Sequence, residues 1–267
     1  MMGLMLMRAD RLVLEPNFTR LPCAVLVAGI GYLVAAWSAV VLVDVLGSRP
    51  LVPLWARIFQ EHGLTERVQW ALLLIGIIAC VRLSLRQDPH TRRFLMLMAI
   101  GLTLMLYEDV LNISHHMGAV LGPSPTGVRV GRLLVYAALA AFLVLALATH
   151  WSRLSVGRGY LLTGYTLYAL AAGASVPANL LGFYERLGAW LMERTAGGLL
   201  RPLPDGLVRM PEYDVADLTG IVFLDFVIEE SVELLGATTL VAGLLVVGLR
   251  GYGPRPSLPE DRPAGDT

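Results

Sequence analysis

The sequence predicts an all-α polytopic transmembrane helix bundle of about six spans, with interfacial helices in the outer loops. Hydrophobic residues make up 56% of the 267 residues and charged residues only 16%, and the mean hydropathy is +0.65. A soluble globular domain has about 25% charged residues. A chain this apolar needs a lipid bilayer around it, and its zero formal net charge gives no indication of a nucleic-acid partner.

Four runs are apolar throughout and long enough to cross a bilayer, which takes roughly 20 residues. They cover residues 21–47, 68–85, 133–151 and 160–181. Two further runs, 94–117 and 219–249, are apolar at one end and carry acidic residues at the other. We predict all six as spans; re-entry of segments 94–117 and 219–233 is the alternative.

Arginine counts in the connecting segments predict the orientation, because cytoplasmic loops carry an excess of basic residues. With the N-terminus inside, twelve arginines lie in cytoplasmic segments and nine in outer ones. Both termini are therefore predicted to be cytoplasmic. Residues 1–20 are predicted to form a cytoplasmic tail, and residues 251–267, rich in Pro, Gly and charge, are predicted to be a disordered cytoplasmic tail.

Two outer connections have the pattern of amphipathic helices that lie in the membrane interface, with a tryptophan on the apolar side. The apolar residues that share a helical face in each are Leu54, Trp55, Ile58 and Phe59, and Phe183, Leu187, Trp190 and Leu191.

The last span contains four carboxyl groups, those of Asp225, Glu229, Glu230 and Glu233. Their insertion costs about 10–14 kcal/mol, against roughly 6–12 kcal/mol gained from twenty apolar residues. Something in the folded protein must offset this cost: protons, arginine, histidine, a metal ion or water. Because the insertion cost of the four acids is about as large as, or larger than, the gain from the apolar residues, we predict a functional site at these acids.

Helical spacing places these acids on common faces. Asp225, Glu229 and Glu233 form one stripe, with Glu230 about 100° to the side of it. In the third span Glu108, Asn112 and His115 or His116 form a second stripe. We predict that the two stripes line one polar cavity in the outer half of the bundle.

Carboxylate and imidazole groups are ligands for iron, manganese or zinc. The leading hypothesis is therefore a divalent metal ion, with ligands from Glu108, His115, His116, Glu229 and Glu233. The predicted supporting residues are Asp109, Asn112, Asp225, Glu230 and Glu66. The Glu-x-x-His element of di-iron helix bundles is absent from this pattern.

Two alternatives use the same acids without a stoichiometric metal. One is a proton- or cation-coupled transporter, because buried acids often form proton and cation pathways. The other is an accessory subunit that binds a membrane-protein partner or a second copy of the chain. The sequence has no nucleotide-binding loop and no Ser-His-Asp set, and His150 is predicted at the opposite face from His115 and His116, so neither nucleotide nor haem is expected. No motif indicates a particular enzymatic reaction.

Three stretches, EHGLTERVQWALLL, YEDVLNISHH and IEESVELLGA, together resemble a group of uncharacterised bacterial multi-pass inner-membrane proteins. The resemblance implies location in the bacterial inner (plasma) membrane. It also implies that the acids in the three stretches form one pattern, namely Glu61, Glu66, Glu108, Asp109, Glu229, Glu230 and Glu233. It implies no reaction.

Overall fold

A computed structural model describes most of the chain. The described residues are 20–47, 50–60, 62–111, 113, 116–117, 120, 125–154, 157–181, 183–195, 200, 203–204 and 218–250. Helices dominate these ranges, and no β-strand runs through them. The prediction of an all-α helix bundle is therefore confirmed. Both predicted tails lie outside the described residues, apart from Arg20.

Eight helices in chain order position the candidate site. They are α1 (Leu21–Val40), α2 (Leu54–Phe59), α3 (Leu64–Ser84), α4 (Pro89–Leu111), α5 (Pro125–His150), α6 (Arg158–Leu181), α7 (Phe183–Thr195) and α8. Helix α8 has three consecutive parts, Thr219–Val222, a π-helical turn Phe223–Glu229, and Glu230–Arg250. A second π-helical turn, Val41–Val45, extends α1.

Five described stretches are long and apolar enough to cross a membrane, which indicates a multi-pass membrane protein. They are Leu21–Val45, Leu54–Ser84, Pro89–Leu111, Leu133–His150 and Thr219–Leu249. Helix α6 covers residues 160–181, the fifth of the six predicted spans. It is not among these five stretches, so its crossing of the membrane stays a prediction. The helix of the second span begins at Leu64, four residues before the predicted start at residue 68. Its first turns contain polar residues up to Gln69, which the apolar run did not include.

Helix α8 lies at the centre of the bundle. About 67% of its most apolar stretch is buried, compared with 22% for α1 and 17% for α5. Helix α8 packs mainly against α6, α3 and α1. The acid-bearing helix is thus surrounded by other helices, whereas α1 and α5 present Val27, Val34, Val144 and Leu145 outward, as lipid-facing helices do.

Glycines allow the close approach of α8 to its neighbours. A Cβ atom on Gly164 of α6 would meet the Leu240 backbone nitrogen at 2.9 Å, and one on Gly236 of α8 would meet the Tyr168 ring at 2.8 Å. Small residues at such contacts are typical of membrane helix packing. The contact brings Tyr168 beside the acidic part of α8.

Helix α2 differs from the interfacial helix expected of it. Trp55 and Phe59 are fully buried, and their rings pack against Phe223 and Trp37 respectively. The Asp44 carboxylate, also buried, accepts hydrogen bonds from the Leu54 and Trp55 amides at 2.8 and 3.0 Å. These bonds satisfy free N–H groups at the start of α2, so α2 packs on protein instead of lipid.

Helix α7 keeps part of its predicted apolar face on the outside. Phe183 and Trp190 are nearly half exposed, and the Arg194 guanidinium lies 5.4 Å from the Trp190 ring. The opposite side of α7 is buried, with Tyr184 packed against Ile221 and Leu224 of α8. Exposed aromatic and basic groups of this kind suit the membrane interface.

Candidate functional site: a carboxyl cluster bridged by Gln69

The side-chain amide of Gln69 joins three helices. Its nitrogen, on α3, donates to Asp109 Oδ2 of α4 at 2.9 Å and to Glu233 Oε2 of α8 at 3.1 Å. Gln69 itself is fully buried. One neutral amide therefore holds two carboxyl groups that lie far apart in the sequence.

Further acids surround this bridge. Glu66 and Glu108 are nearly fully buried, and Glu230 comes from the same part of α8 as Glu233. The carboxyl groups lie within electrostatic range of one another. The members of this carboxyl cluster are Glu66, Glu108, Asp109, Asp225, Glu229, Glu230 and Glu233. The structure thus brings together carboxyl groups from the first turn of α3, from the end of α4 and from α8.

The two acids nearest the start of α8 lie in its π-helical turn. Asp225 and Glu229 both belong to Phe223–Glu229, and Glu229 Oε2 accepts a hydrogen bond from the Tyr184 hydroxyl of α7 at 3.1 Å. π-helical turns are rare and are frequent at functional sites. This turn changes the direction of the two side chains relative to a regular α-helix.

Glu66 also has a structural role at the start of α3. Its Oε2 accepts a hydrogen bond from the His62 backbone N–H and lies 3.9 Å from the His62 ring nitrogen Nδ1. A glutamate in the first turn satisfies free N–H groups at the helix start. Glu66 therefore fixes the beginning of the helix that carries Gln69.

A cavity of about 290 Å³ adjoins the cluster between α4, α5 and α6. Glu108, Asp109 and Glu233 line one end of it. Most of the remaining lining is apolar and comes from α5 and α6, including Leu147 and Leu162, and tyrosines of both helices contribute as well. Because α5 rises 1.5 Å per residue, the distance along it from Tyr136 to Leu147 is ~16 Å. The cavity is therefore elongated, with an acidic end and an apolar end.

Three polar atoms of this region are buried without a hydrogen bond. They are Gln69 Oε1, Glu230 Oε2 and the Tyr168 hydroxyl, which lies beside the Gln69 amide but outside hydrogen-bond geometry. Buried polar atoms normally have a partner, so each exception needs an explanation. Tyr168 is also one of the residues that line the cavity.

The predicted metal ligands fit a metal poorly within the part of the chain that is described. There, no three side chains of His, Cys, Asp or Glu are arranged so that they could hold a metal ion. His116 is exposed, whereas Glu108 is buried; His115 and Asn112 lie outside the described residues, as does Glu61. The metal-binding role of Glu108, His115, His116, Glu229 and Glu233 stays a prediction.

Comparisons with known proteins give no assignment. No family model matches the chain, and no match was found among curated proteins or among solved structures. The resemblance to bacterial inner-membrane proteins therefore stays a prediction, and the function must be inferred from the site itself.

Several residues of the site were not predicted from the sequence as site residues. Gln69 lies three residues after Glu66, so both are on one helix face, and this spacing could have indicated its role. Tyr136, Tyr168 and Tyr184 gave no comparable signal, because a tyrosine in an apolar helix is equally compatible with ordinary packing.

Proposed function

We propose that this integral membrane protein is a transporter in which the carboxyl cluster exchanges a proton for a cation. The observation that carries the proposal is the Asp109–Gln69–Glu233 bridge, where two partly buried carboxyl groups share one neutral, fully buried amide. An amide has no charge with which to balance them. The bridge therefore leaves a site at which a positive charge, a proton or another cation, can bind and dissociate.

Electrostatics favours such an exchange. Carboxylates buried close together repel one another, so they retain protons that solvated acids would lose. A cation that enters the cluster lowers the repulsion and allows a proton to leave. The net charge of the site then stays nearly constant, which keeps the cost of burial low in both states.

The remainder of the bundle suggests how the exchange is controlled. On the side of α4 and α8 away from the cluster, Leu95, Met98, Leu102, Leu240 and Leu244 form a buried apolar core. An ion cannot cross such a core without a large solvation penalty. Transport therefore requires the helices to rearrange, and α5 has the smallest buried share among the five candidate spans.

The test is an exchange assay in proteoliposomes. Vesicles with an acidic lumen and a pH-sensitive dye are supplied on the outside with sodium, potassium, magnesium or an organic ammonium ion. We expect at least one cation to release protons through the wild type and Glu233→Gln to abolish the release. The matched control Glu193→Gln changes an exposed glutamate of α7 and should transport normally.

Elemental analysis separates this proposal from the metal hypothesis. We expect less than a tenth of an equivalent of iron, manganese or zinc in the purified wild type. One or two equivalents that disappear in Glu229→Gln and Glu108→Gln would contradict the proposal and favour a metal site. Proton release that is the same in Glu233→Gln as in the wild type would also contradict it.

A further inference from the structure

The cavity beside the carboxyl cluster indicates what kind of cation is exchanged. We propose that it binds an amphipathic organic cation, an ammonium group attached to an apolar chain. This inference rests on the proposed function and specifies its substrate class. It is argued from the shape, the lining and the access of the cavity.

The lining matches the two ends of such a molecule. Glu108, Asp109 and Glu233 are the acidic residues that line the cavity, and no described arginine or histidine lines it. Tyr136, Tyr165 and Tyr168 also line the cavity, and Tyr168 lies within electrostatic range of Asp109 and Glu233. Carboxylates and tyrosine rings both attract ammonium groups, the latter by cation–π interaction. An anion would be repelled here.

The apolar end of the cavity is expected to bind the hydrocarbon chain of the cation. Leu139, Leu143, Val144, Leu147 and Leu162 contribute only hydrocarbon to the cavity. A small hydrated metal ion gains nothing from such a surface, whereas an alkyl chain loses its contact with water there. The volume of about 290 Å³ lies at the lower end of the range for small-molecule sites. It suits a chain of moderate length.

Access to the cavity is from the side of the bundle. Ala140 and Val144 of α5, and Leu162 and Thr166 of α6, line the cavity and are also exposed on the outer surface of the bundle. In a bilayer this surface faces lipid. Amphipathic cations accumulate at membrane surfaces with their chains in the hydrocarbon, so they can reach the cavity between α5 and α6.

Binding of the cation should depend on pH, because it competes with protons of the cluster. The titratable groups that face Asp109 and the ammonium end come from every neighbouring helix. They are Glu66 of α3, Glu108 of α4, Tyr136 of α5, Tyr168 of α6, and Asp225, Glu230 and Glu233 of α8. All of them are acids that change from neutral to negative when they lose a proton, so the affinity for a cation should rise with pH.

The test is calorimetric titration with octyltrimethylammonium of the full-length protein in phosphatidylcholine nanodiscs, with empty nanodiscs as the reference. We expect saturable binding to the wild type with proton release. Affinity should fall about tenfold or more, equivalent to about 1.4 kcal/mol, in Glu233→Gln and Asp109→Asn. Glu193→Gln should bind like the wild type. Octanol, which has the chain without the charge, should bind at least tenfold more weakly than the ammonium ion.

A second variant keeps the test valid if the acid variants do not fold. Ala140→Trp fills the cavity from its exposed lipid-facing rim, and we expect a folded protein that no longer binds octyltrimethylammonium. Unchanged binding in Ala140→Trp would contradict the site. Equal binding of octanol would show a pocket for lipid chains and would also contradict the inference.

The outcomes distinguish the inference from the proposed function. If inorganic cations release protons in proteoliposomes but octyltrimethylammonium does not bind, the substrate class is wrong and the exchange proposal stands. If octyltrimethylammonium binds without releasing protons, the cavity is a cation site and the exchange proposal fails.

Discussion

Gln69 is the residue on which the arrangement of the cluster depends. Replacement by leucine keeps the side-chain size but removes both hydrogen bonds, to Asp109 and to Glu233. Hydrogen bonds to buried carboxyl groups contribute about 1–3 kcal/mol. We expect Gln69→Leu to lower the free energy of unfolding by about that amount, measured by thermal unfolding in detergent.

The control is Gln60→Leu, because Gln60 is exposed and precedes α3, the helix that carries Gln69. An unfolding temperature for Gln69→Leu equal to that of the control would show that the bridge does not stabilise the fold. The sequence could not predict this bridge, since the partners of Gln69 lie 40 and 164 residues away.

Asp88 provides a pH-dependent contribution outside the predicted spans. It precedes α4, where its Oδ1 accepts from the His90 and Thr91 amides at 2.9 and 3.3 Å. Slight burial raises the pKa of Asp88, but these bonds, the Thr91 hydroxyl and the His90 charge outweigh it. They hold the pKa of Asp88 below its ordinary value.

A lowered folded-state pKa means that the ionised form stabilises the fold. The contribution is complete above the unfolded-state pKa of about 3.9 and is lost as the pH falls through the folded-state value. We expect Asp88→Asn, which also caps helices well, to lose less stability than the wild type between pH 5 and pH 3. Identical pH profiles in thermal unfolding would contradict this role.

At the scale of the helices, the two π-helical turns were not predicted from the sequence. Both contain an acid, Asp44 in Val41–Val45 and Asp225 in Phe223–Glu229. The predicted stripe of Asp225, Glu229 and Glu233 assumed α-helical periodicity throughout. The three groups do meet one cluster, but the exact facing of Asp225 and Glu229 depends on packing against α7 and α2, which no local pattern encodes.

Two glycines of α1 test how closely this helix approaches α8. A Cβ on Gly29 would overlap the Thr238 side chain, whereas one on Gly31 would have nothing within 4 Å. Both gain the same helix propensity on change to alanine, so the difference isolates the packing term. We expect Gly29→Ala to be less stable than Gly31→Ala by about 1–3 kcal/mol.

Thermal unfolding of the two variants in the same detergent measures the difference. Equal stability would mean that Thr238 rotates away at little cost. Since Thr238 Oγ1 also donates to the Leu234 carbonyl at 2.7 Å, rotation would lose a buried hydrogen bond. The expected order of stability is therefore Gly31→Ala above Gly29→Ala.

At the scale of the whole molecule, composition predicted the helix bundle, which the structure confirms, and the insertion cost of α8 led to the prediction of a functional site, which stays a prediction. The described structure explains why that cost is tolerated: α8 is the most buried of the candidate spans, and its four acids are partly buried beside carboxyl groups of the neighbouring helices. The central position of α8 could have been anticipated from its four carboxyl groups. The cavity could not, because it depends on how far α5 and α6 stand apart.

The orientation of the bundle stays a prediction from its arginines, and labelling can test it. With both termini cytoplasmic, the connection before α3 is outside and the connection between α3 and α4 is inside. We expect Gln60→Cys to react with a membrane-impermeant maleimide in intact cells, and Arg86→Cys to react only after the membrane is opened. Both positions are exposed in the structure, so access from the correct side is sterically free.

The background for this experiment replaces both native cysteines, Cys23 and Cys80, with alanine. Cys80 is buried and Cys23 is exposed on α1, so without the replacement Cys23 could contribute its own signal. If Arg86→Cys and not Gln60→Cys is labelled in intact cells, the orientation of the bundle is the opposite of the predicted one. The cluster would then lie in the cytoplasmic half, and an exchanged cation would enter the cavity from the cytoplasmic leaflet.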